Sequence, residues 1–447
     1  MVAGVAPPDE INAAPTKEFF VEMLVCDIAL EQAVLDLVDN SIDGAKRING
    51  KDLSGRNIDI HVDAEQFRIW DNCGGFDKAM ARDYAFRFGR APGTPSTPNS
   101  IGQFGVGMKR ALFKFGRHFI VRSATQDDLW AVDVDVDKWE ADEDDWHFQW
   151  SDFGDKTKIS KRKPGTDIVV DRLRPEVAMQ FGNQYFINKI SGLIKSKHRQ
   201  FIASGLTISV NNSHLDATNL YLLVDNKLQP GVNVFTFGKK PKETVKVRII
   251  VGVGSSSPRQ AGWYVVCNGR VILEEDRSKT TGWGIVENLT GGTMIPSYHN
   301  QFARFRGIVS FDCPDSALLP WNTTKTGVNQ DNPIWQQTFQ RMIEIMRPVI
   351  DFLNELDKDV DEHTKDESPL HDYVTKARPT NVDQFKREAE FRGPPRGSIK
   401  KPQRTVGIQY AKPVKDVEFL EEVLGVYSAK AVGKRTFDIV LKGHKGK

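Results

Sequence analysis

The chain has 447 residues, of which 39% are hydrophobic and 27% are charged, and this composition predicts a soluble globular protein of two domains and a tail. The N-terminus lacks the pattern of a secretory signal, no stretch is apolar enough to span a bilayer, and the four cysteines have no paired spacing. We therefore expect a cytoplasmic protein without disulfide bonds or a zinc site. The net charge of +2 is unevenly distributed, because residues 376–447 contain 17 Lys and Arg against 8 Asp and Glu, a net +9, whereas the remainder contains 44 against 51, a net −7.

The first predicted elements are two helices, over residues 18–27 and 31–47. At about 100° per residue, one narrow face of the second helix carries Asp36, Asn40, Asp43 and Arg47. The opposite face carries Val34, Val38, Ile42 and Ala45. This is the pattern of an ordinary amphipathic helix with a solvated polar face, and equally of a helix that presents a carboxylate and an amide to a functional site.

Two short strands are predicted next, over residues 56–62 and 66–70, because polar and apolar residues alternate in both. The second strand runs directly into the sequence Asp71-Asn-Cys-Gly-Gly-Phe-Asp. An aspartate at a strand end, followed by two glycines, can place its carboxylate beside a flat ligand while the backbone approaches closely. The same sequence is also a common turn.

Residues 88–100 are rich in Pro, Gly and Ser and have the composition of a mobile lid. They are followed by Ile101-Gly-Gln-Phe-Gly-Val-Gly-Met-Lys109 and by a predicted helix over residues 110–115. Three glycines leading into a helix N-terminus expose backbone N–H groups that can bind a phosphate, and Lys109 adds a positive charge. The spacing matches neither a Walker A loop nor a Rossmann fingerprint.

Further strands are predicted over residues 120–125 and 130–136, and the acidic stretch 137–155 is interpreted as a solvated hairpin or loop. The combined fragments resemble the GHKL ATPase superfamily, which includes gyrase B, the ninety-kilodalton heat-shock chaperones, histidine kinases and MutL, with MORC proteins as close relatives. The resemblance runs from about residue 19 to residue 170. It implies an α/β GHKL (Bergerat) ATP-binding sandwich whose ligands are ATP and Mg²⁺.

By this resemblance, each fragment has a role in the nucleotide site. Asn40 would coordinate magnesium, Asp36 would orient the attacking water, and Asp71 with Gly75 would read adenine. Thr166, in the strand over residues 163–170, would reach the adenine site. The other residues predicted to contact nucleotide are Asp43, Ile101, Gly102, Gln103, Phe104, Gly105, Val106, Gly107 and Lys109. Asp36 is a departure, because the family usually has Glu at this position.

A second domain is predicted from a helical pattern over residues 181–201 and strands over residues 206–210, 244–251 and 262–273. Within the last of these, Val-Cys-Asn-Gly-Arg-Val-Ile resembles the strand and turn of the MutL transducer domain. Residues 319–327 resemble the transducer loop that sends a lysine, here Lys325, to the γ-phosphate; the alternative is a simply solvated lysine. A long helix is predicted over residues 333–358.

These patterns predict four segments. They are a GHKL ATP-binding domain (1–175), a transducer-like α/β domain (176–360), a charged and Pro/Gly-rich linker (361–404) and a small basic C-terminal module (405–447). In the module we expect a strand, a helix and a strand over residues 405–410, 417–424 and 436–441. Its positive charge suits nucleic-acid binding and, almost equally, docking to a partner protein.

The resemblance therefore implies a magnesium-dependent ATPase that acts as an ATP-gated homodimeric switch or clamp. The shorter Asp36 predicts slow turnover, and the sequence predicts no membrane association. The basic tail suggests that the clamp acts on nucleic acid, in repair or in defence against foreign DNA. Two alternatives stay open: a chaperone-like ATPase that remodels a protein client, and an ATP-sensing subunit without significant turnover.

Overall fold

The computed structural model describes residues 16–26, 28–87, 97–102, 107–285, 295–358, 369–394 and 407–445. Its helices are α1 (Lys17–Cys26), α2 (Leu30–Asn49), α3 (Lys78–Met80), α4 (Gly107–Phe115), α5 (Val136–Ala141), α6 (Pro175–Phe181), α7 (Gln184–Lys197), α8 (Arg199–Ala203), α9 (Pro333–Lys358), α10 (Pro369–Lys376), α11 (Val414–Leu424) and α12 (Ala429–Lys445). Its strands are β1 (Asn57–Val62), β2 (Phe67–Asp71), β3 (Gly116–Ala124), β4 (Leu129–Asp135), β5 (Trp150–Ser151), β6 (Gly165–Leu173), β7 (Thr207–Val210), β8 (Ser213–His214), β9 (Tyr221–Val224), β10 (Gly231–Phe237), β11 (Val245–Val253), β12 (Gly262–Cys267), β13 (Arg270–Asp276), β14 (Phe305–Asp312) and β15 (Arg378–Asn381).

An eight-stranded sheet forms the first layer, in the order β5-β4-β3-β6-β2-β1-β7-β8. Its strands are antiparallel except for β7, which pairs parallel to β1. The pairing of β2 with β6 places Asp71 directly opposite Thr166. Two residues predicted to read adenine, 95 positions apart in the chain, are therefore cross-strand neighbours.

Helices α2 and α4 pack against each other beside this sheet. The apolar face of α2 explains its position, because Val34, Val38, Ile42 and Ala45 are all completely buried. Its polar face is turned towards a cavity, where Asn40 is exposed. The sequence pattern of this helix and the mixed α/β architecture are both confirmed.

A five-stranded sheet forms the second layer, in the order β10-β11-β14-β12-β13. The predicted Asn268-Gly269 turn joins β12 and β13, and both residues have positive φ angles, of 48° and 87°. The long helix α9 lies on this sheet, where Trp263 donates a hydrogen bond to Met346 Sδ at 3.4 Å. One continuous hydrophobic core contains residues of both sheets.

The boundaries of the first two predicted segments need correction. The first sheet does not end at residue 175, because β7 and β8 extend it to His214. The parallel pairing of β7 with β1 is long-range, so the local pattern of residues 206–210 could not show to which sheet this strand belongs. The two layers together form one compact unit of residues 1–359 and 369–395.

The described part of the predicted linker, residues 369–394, is also packed. Leu370, Val374 and Val382 are each 2% exposed, and β15 pairs antiparallel with β9. This segment therefore belongs to the first compact unit.

Two further predictions of secondary structure are wrong in detail. Residues 137–155 are not only a loop, because α5 occupies their start: Asp135 caps this helix by accepting a hydrogen bond from the Lys138 N–H, and Trp139 is 8% exposed. The helical pattern over residues 181–201 is divided among three helices, α6, α7 and α8.

The second compact unit contains residues 360–368 and 396–447. Its described part includes α11 and α12, which pack against each other, and Val432 in α12 is 5% exposed. The strand predicted over residues 436–441 is wrong, because these residues lie within α12. Thr436 donates its hydroxyl to the Val432 carbonyl at 2.8 Å, a typical helical side-chain contact.

No helix in the described ranges is long and apolar enough to cross a membrane.

Candidate nucleotide site

A cavity of about 1140 Å³ lies along the polar face of α2. Its lining includes Asp36, Asn40, Asp43, Asp71, Gly75, Gly102, Gly107, Lys109, Thr166 and Lys325. The structure thus brings most of the predicted site residues together. Gln103, Phe104, Gly105 and Val106 lie outside the described residues, so their predicted roles stay predictions.

One end of the cavity is built around the buried carboxylate of Asp71. Its Oδ2 accepts a hydrogen bond from Ser41 Oγ at 2.6 Å, and its Oδ1 accepts from the N–H groups of Cys73 at 2.8 Å and Thr166 at 3.2 Å. Burial raises the pKa of Asp71 above its ordinary value, and these three hydrogen bonds counteract that effect. The carboxylate is a fixed acceptor at the end of β2.

The neighbouring turn requires glycine at position 75. Gly75 has a φ of 60°, and a Cβ there would lie 2.3 Å from the Ala124 carbonyl oxygen and 2.7 Å from that of Gly165. Any larger residue would push the turn away from β3 and β6. Gly75 therefore allows close approach of backbone beside Asp71.

The described residues 97–102, which comprise the end of the predicted lid and the start of the glycine-rich segment, are called here the anchor segment. Asp43 holds its end, because the Asp43 carboxylate accepts hydrogen bonds from the N–H groups of Ile101 at 2.8 Å and Gly102 at 2.7 Å. Burial raises the pKa of Asp43 despite these bonds. Asp43 thus contacts the glycine-rich segment. Its predicted effect on nucleotide binding would be indirect, through the position of that segment.

The anchor segment is also fastened to the second layer. The Asn99 N–H donates to the Pro314 carbonyl at 3.1 Å, and Asn268 Nδ2 donates to the Ser100 carbonyl at 3.1 Å. Asn268 is 4% exposed and is held in place by its second bond to the Cys313 carbonyl. A displacement of the anchor segment would therefore directly disturb the hydrogen bonds of the turn between β12 and β13.

The N-terminus of α4 meets Asp36. A Cβ on Gly107 would lie 3.0 Å from Asp36 Oδ2, so a side chain at this position would displace the carboxylate. The positive end of the helix dipole favours a negative charge here. Asp36 also accepts a hydrogen bond from Gln32 Nε2 at 3.0 Å, and it is 7% exposed.

Lys109, the predicted phosphate ligand, makes a different contact. Its ammonium donates to the carbonyl oxygens of Ala85 at 2.8 Å and Arg87 at 2.5 Å, next to a π-helical turn over Ala81–Ala85. Burial lowers the pKa of Lys109 to about 7. Because the amine lines the cavity, its phosphate role stays a prediction that requires it to exchange these carbonyls for phosphate oxygens.

Lys325 crosses from the second layer to α2. It has a positive φ of 55°, is 6% exposed, and donates from Nζ to Asp39 Oδ2 at 2.7 Å and to Asp36 Oδ1 at 3.3 Å. Burial alone would lower the pKa of Lys325, but these two carboxylates raise it above its ordinary value. The alternative of a solvated lysine is therefore wrong.

Sequence reasoning missed Asp39, His198 and Arg270. Asp39 is completely buried, and its Oδ1 accepts from His198 Nε2 at 2.8 Å and from Arg270 Nε at 3.0 Å. Burial raises the pKa of Asp39, but Arg270, Lys325 and the His198 bond outweigh it and hold that pKa far below its ordinary value. The one signal in the sequence was a carboxylate next to Asn40 that falls outside the polar face of α2.

The residues fit a magnesium ion that arrives with phosphate. No group of three or more His, Cys, Asp or Glu residues that could hold a metal is found in the described parts of the chain. Asn40 is exposed to the cavity, and a Cβ on Gly102 would lie 3.3 Å from its Oδ1. A single amide oxygen suits Mg²⁺ when phosphate oxygens and water complete its octahedron.

Part of the chain matches a known family. Residues 28–166 match the family model described as "Histidine kinase-, DNA gyrase B-, and HSP90-like ATPase". The matched range includes Asp36, Asn40, Asp71 and Thr166, whereas Lys325 lies beyond it. No curated protein matches the chain.

Proposed function

We propose that the chain is a slow magnesium-dependent ATPase whose site spans both layers, because residues 28–166 match the model of an ATPase family. The observation that supports this most is the arrangement along α2. Ser41 holds the proposed adenine reader Asp71, and Asp36, five residues earlier, contacts Lys325. Five residues of helix correspond to roughly 7.5 Å, so a nucleotide lying along α2 would extend from the Asp71 end towards Lys325.

Each proposed role follows from the chemistry of the side chain. Asp71 would accept a hydrogen bond from the exocyclic amine of adenine. Asn40 would hold a magnesium ion, which neutralises charge on the phosphates when it is bound. Asp36 would polarise the attacking water, and the N–H group of Gly107 at the N-terminus of α4 would stabilise negative charge that develops on the phosphate.

Lys325 would supply the terminal phosphate with a positive charge from the second layer. It lies beside Asp36, so the base and the cation are adjacent before nucleotide binds. We propose that the terminal phosphate draws Lys325 away and leaves Asp36 as a stronger base. Lys325→Ala should then retain ATP binding but hydrolyse ATP slowly.

We further propose that ATP gates a homodimeric switch, as the resemblance implies. The contacts of the anchor segment with Pro314 and Asn268 support this, because they connect the phosphate end of the cavity to the second layer. A chaperone-like action on a protein client and an ATP sensor without turnover are the alternatives. Oligomer mass with and without a non-hydrolysable ATP analogue, together with measured phosphate release, distinguishes the three.

A nucleic-acid client is supported by the charge of α12, which carries Lys430, Lys434, Arg435, Lys442 and Lys445 against Asp438. Such binding would be made mainly to phosphates, so it should weaken steeply with salt and show little sequence preference. Truncation after Pro395, which keeps the packed residues 369–394 in place, should weaken DNA binding while sparing ATP affinity. Equal DNA affinity with and without the tail would favour a role in docking a partner protein.

A further inference from the structure

The buried carboxylate of Asp39 connects three distant segments of the chain. His198 follows α7, Arg270 begins β13 and Lys325 lies in the loop before α9, and each donates a hydrogen bond to Asp39. The proposed chemistry uses only Lys325 from this set. Asp39, His198 and Arg270 form what we call the Asp39 cluster, and it has no assigned role in binding or hydrolysis.

The charges around Lys325 are balanced before nucleotide binds. Two carboxylates, Asp36 and Asp39, face two cations, Lys325 and Arg270. His198 is neutral, because burial and the nearby Arg270 lower its pKa to about 4. If Lys325 moved to a phosphate, Asp39 would retain Arg270 as its cationic partner. Arg270 therefore determines how strongly the Asp39 carboxylate attracts Lys325.

Arg270 is held rigidly enough to do this. Its side chain is completely buried, its Nη1 donates to the Val271 carbonyl at 3.2 Å, and its Nη2 has no hydrogen-bond partner within the described residues. The preceding turn is tightly packed, because a Cβ on Gly269 would lie 2.8 Å from the Phe201 ring. Asp39 is thus the main polar partner of the Arg270 guanidinium.

We propose that Asp39 is the resting partner of Lys325 and that Arg270 is a positioning residue which, by sharing the charge of Asp39, sets how readily Lys325 is released to the terminal phosphate. This inference rests on the proposed function, because it takes Lys325 as the ligand of that phosphate. It extends that function because it identifies Asp39 as the partner of Lys325 before ATP binds and Arg270 as the residue that weakens this contact.

Substitutions of Arg270 and of Asp39 should have opposite effects on the release of Lys325. Removing the charge of Arg270 leaves Lys325 as the remaining cationic partner of Asp39 and should hold it more tightly. Removing the charge of Asp39 should release Lys325. A purely structural role would instead impair the site in both variants, so the direction of change separates positioning from stabilisation.

The experiment measures the preference for a triphosphate, defined as the dissociation constant of ADP divided by that of a non-hydrolysable ATP analogue, by calorimetry with magnesium. Relative to wild type, Arg270→Gln should lower this ratio about tenfold and Asp39→Asn should raise it by about the same factor, within the usual range of coupling between sites. In a Lys325→Ala background, neither substitution should change the ratio. Arg306→Gln is the matched control, because Arg306 is a buried arginine of the same sheet whose guanidinium donates to the Ala303, Phe305 and Ser255 carbonyls.

The results distinguish this inference from the proposed function. A wild type that binds the two nucleotides equally, or a Lys325→Ala variant with the wild-type ratio, overturns the proposed role of Lys325 and this inference with it. A ratio that depends on Lys325 but falls in both Asp39→Asn and Arg270→Gln, or is unchanged in Arg270→Gln, overturns the inference alone. If Asp39→Asn does not fold, Arg270→Gln and Arg270→Gln/Lys325→Ala decide the question.

Discussion

Replacement of Asp71 by Asn tests the adenine end of the site most directly. The side-chain oxygen of the new amide can accept from the Cys73 and Thr166 N–H groups only if it occupies the position of Oδ1. The NH₂ group then replaces Oδ2 and faces Ser41, whose hydroxyl can turn to accept from it. The variant should therefore fold.

The effect on ATP follows from this orientation. The exocyclic amine of adenine would meet a donor in place of an acceptor, and an unpaired buried donor costs about 2 to 4 kcal/mol. The dissociation constant of a non-hydrolysable ATP analogue should rise by about 30-fold to 700-fold, since about 1.4 kcal/mol corresponds to a factor of ten. Titration calorimetry with the folded variant measures this directly.

Asp167→Asn is the control for loss of a buried carboxylate in the same sheet. Asp167 is completely buried in β6 and is bonded to Arg68 at 2.8 Å, but it does not line the cavity. Its ATP affinity should be close to that of wild type. Unchanged affinity in folded Asp71→Asn would refute the assignment of Asp71 as the adenine reader.

Three further predictions concern Asp36, Lys109 and His118. Asp36→Ala should remove most hydrolysis while preserving magnesium-ATP binding. Asp36→Glu should keep or increase the hydrolysis rate, because Asp is shorter than Glu by one methylene and a displacement of the carboxylate by roughly 1 Å can cost about a hundredfold in rate. Undiminished phosphate release in Asp36→Ala would show that another residue is the base. If phosphate displaces the carbonyl partners of Lys109, its pKa should rise from about 7, so binding of the ATP analogue at pH 8 should take up protons in wild type but not in Lys109→Met. Calorimetry in two buffers of different ionisation enthalpy measures this uptake, and none in wild type would contradict a phosphate role. Burial lowers the pKa of His118, but the hydrogen bonds of its ring to Asp133 and Asp171 outweigh burial and raise that pKa above its ordinary value. Protonated His118 should therefore stabilise the fold by about 1 kcal/mol or less. This stabilisation should be present below pH ~6.5 and be lost as the pH rises through the higher folded-state pKa. Urea unfolding of wild type and His118→Gln at pH 5.5 and 8.5 checks this, and an equal difference at both values would contradict it.

The parts of the fold that the sequence predicted are those fixed by local pattern. The burial of Val34 and Val38 follows from helical spacing, and the placement of Asp71 follows from a strand that ends at two glycines. The turn at Asn268 follows from the preference of Asn-Gly for positive φ angles. In each case the relevant neighbours are within a few residues along the chain.

The Asp39 cluster could not be predicted in this way. The partners of Asp39 lie 159, 231 and 286 residues away in the chain, and each comes from a different element. Asp39 also lies to one side of the polar face that singled out Asp36, so periodicity alone gave it no role. Only the docking of the second layer brings its cations to α2.

Local propensity was misleading in two places. Residues 436–441 contain β-branched side chains and were predicted as a strand, yet Phe437 and Leu441 are four residues apart in α12, at helical spacing. The ammonium of Lys17 in α1 lies 4.3 Å from the centre of the Trp139 ring in α5 and donates to the Trp139 carbonyl at 2.6 Å. A contact from the N-terminal helix thus helps to order a segment that appeared, from its acidity, to be a loop.

The position of Asp39 also bears on whether the nucleotide-binding layer can exist as a separate fragment. A chain cut after His214 would keep the first sheet and His198 but would lose Arg270 and Lys325, the two cations that offset the buried charge. Removing the partners of a buried charge is strongly destabilising, and the same cut would expose the apolar surface that the two sheets share. We therefore expect the first layer alone to be less stable than the complete chain, because its charge balance is complete only when the second half of the chain has been made.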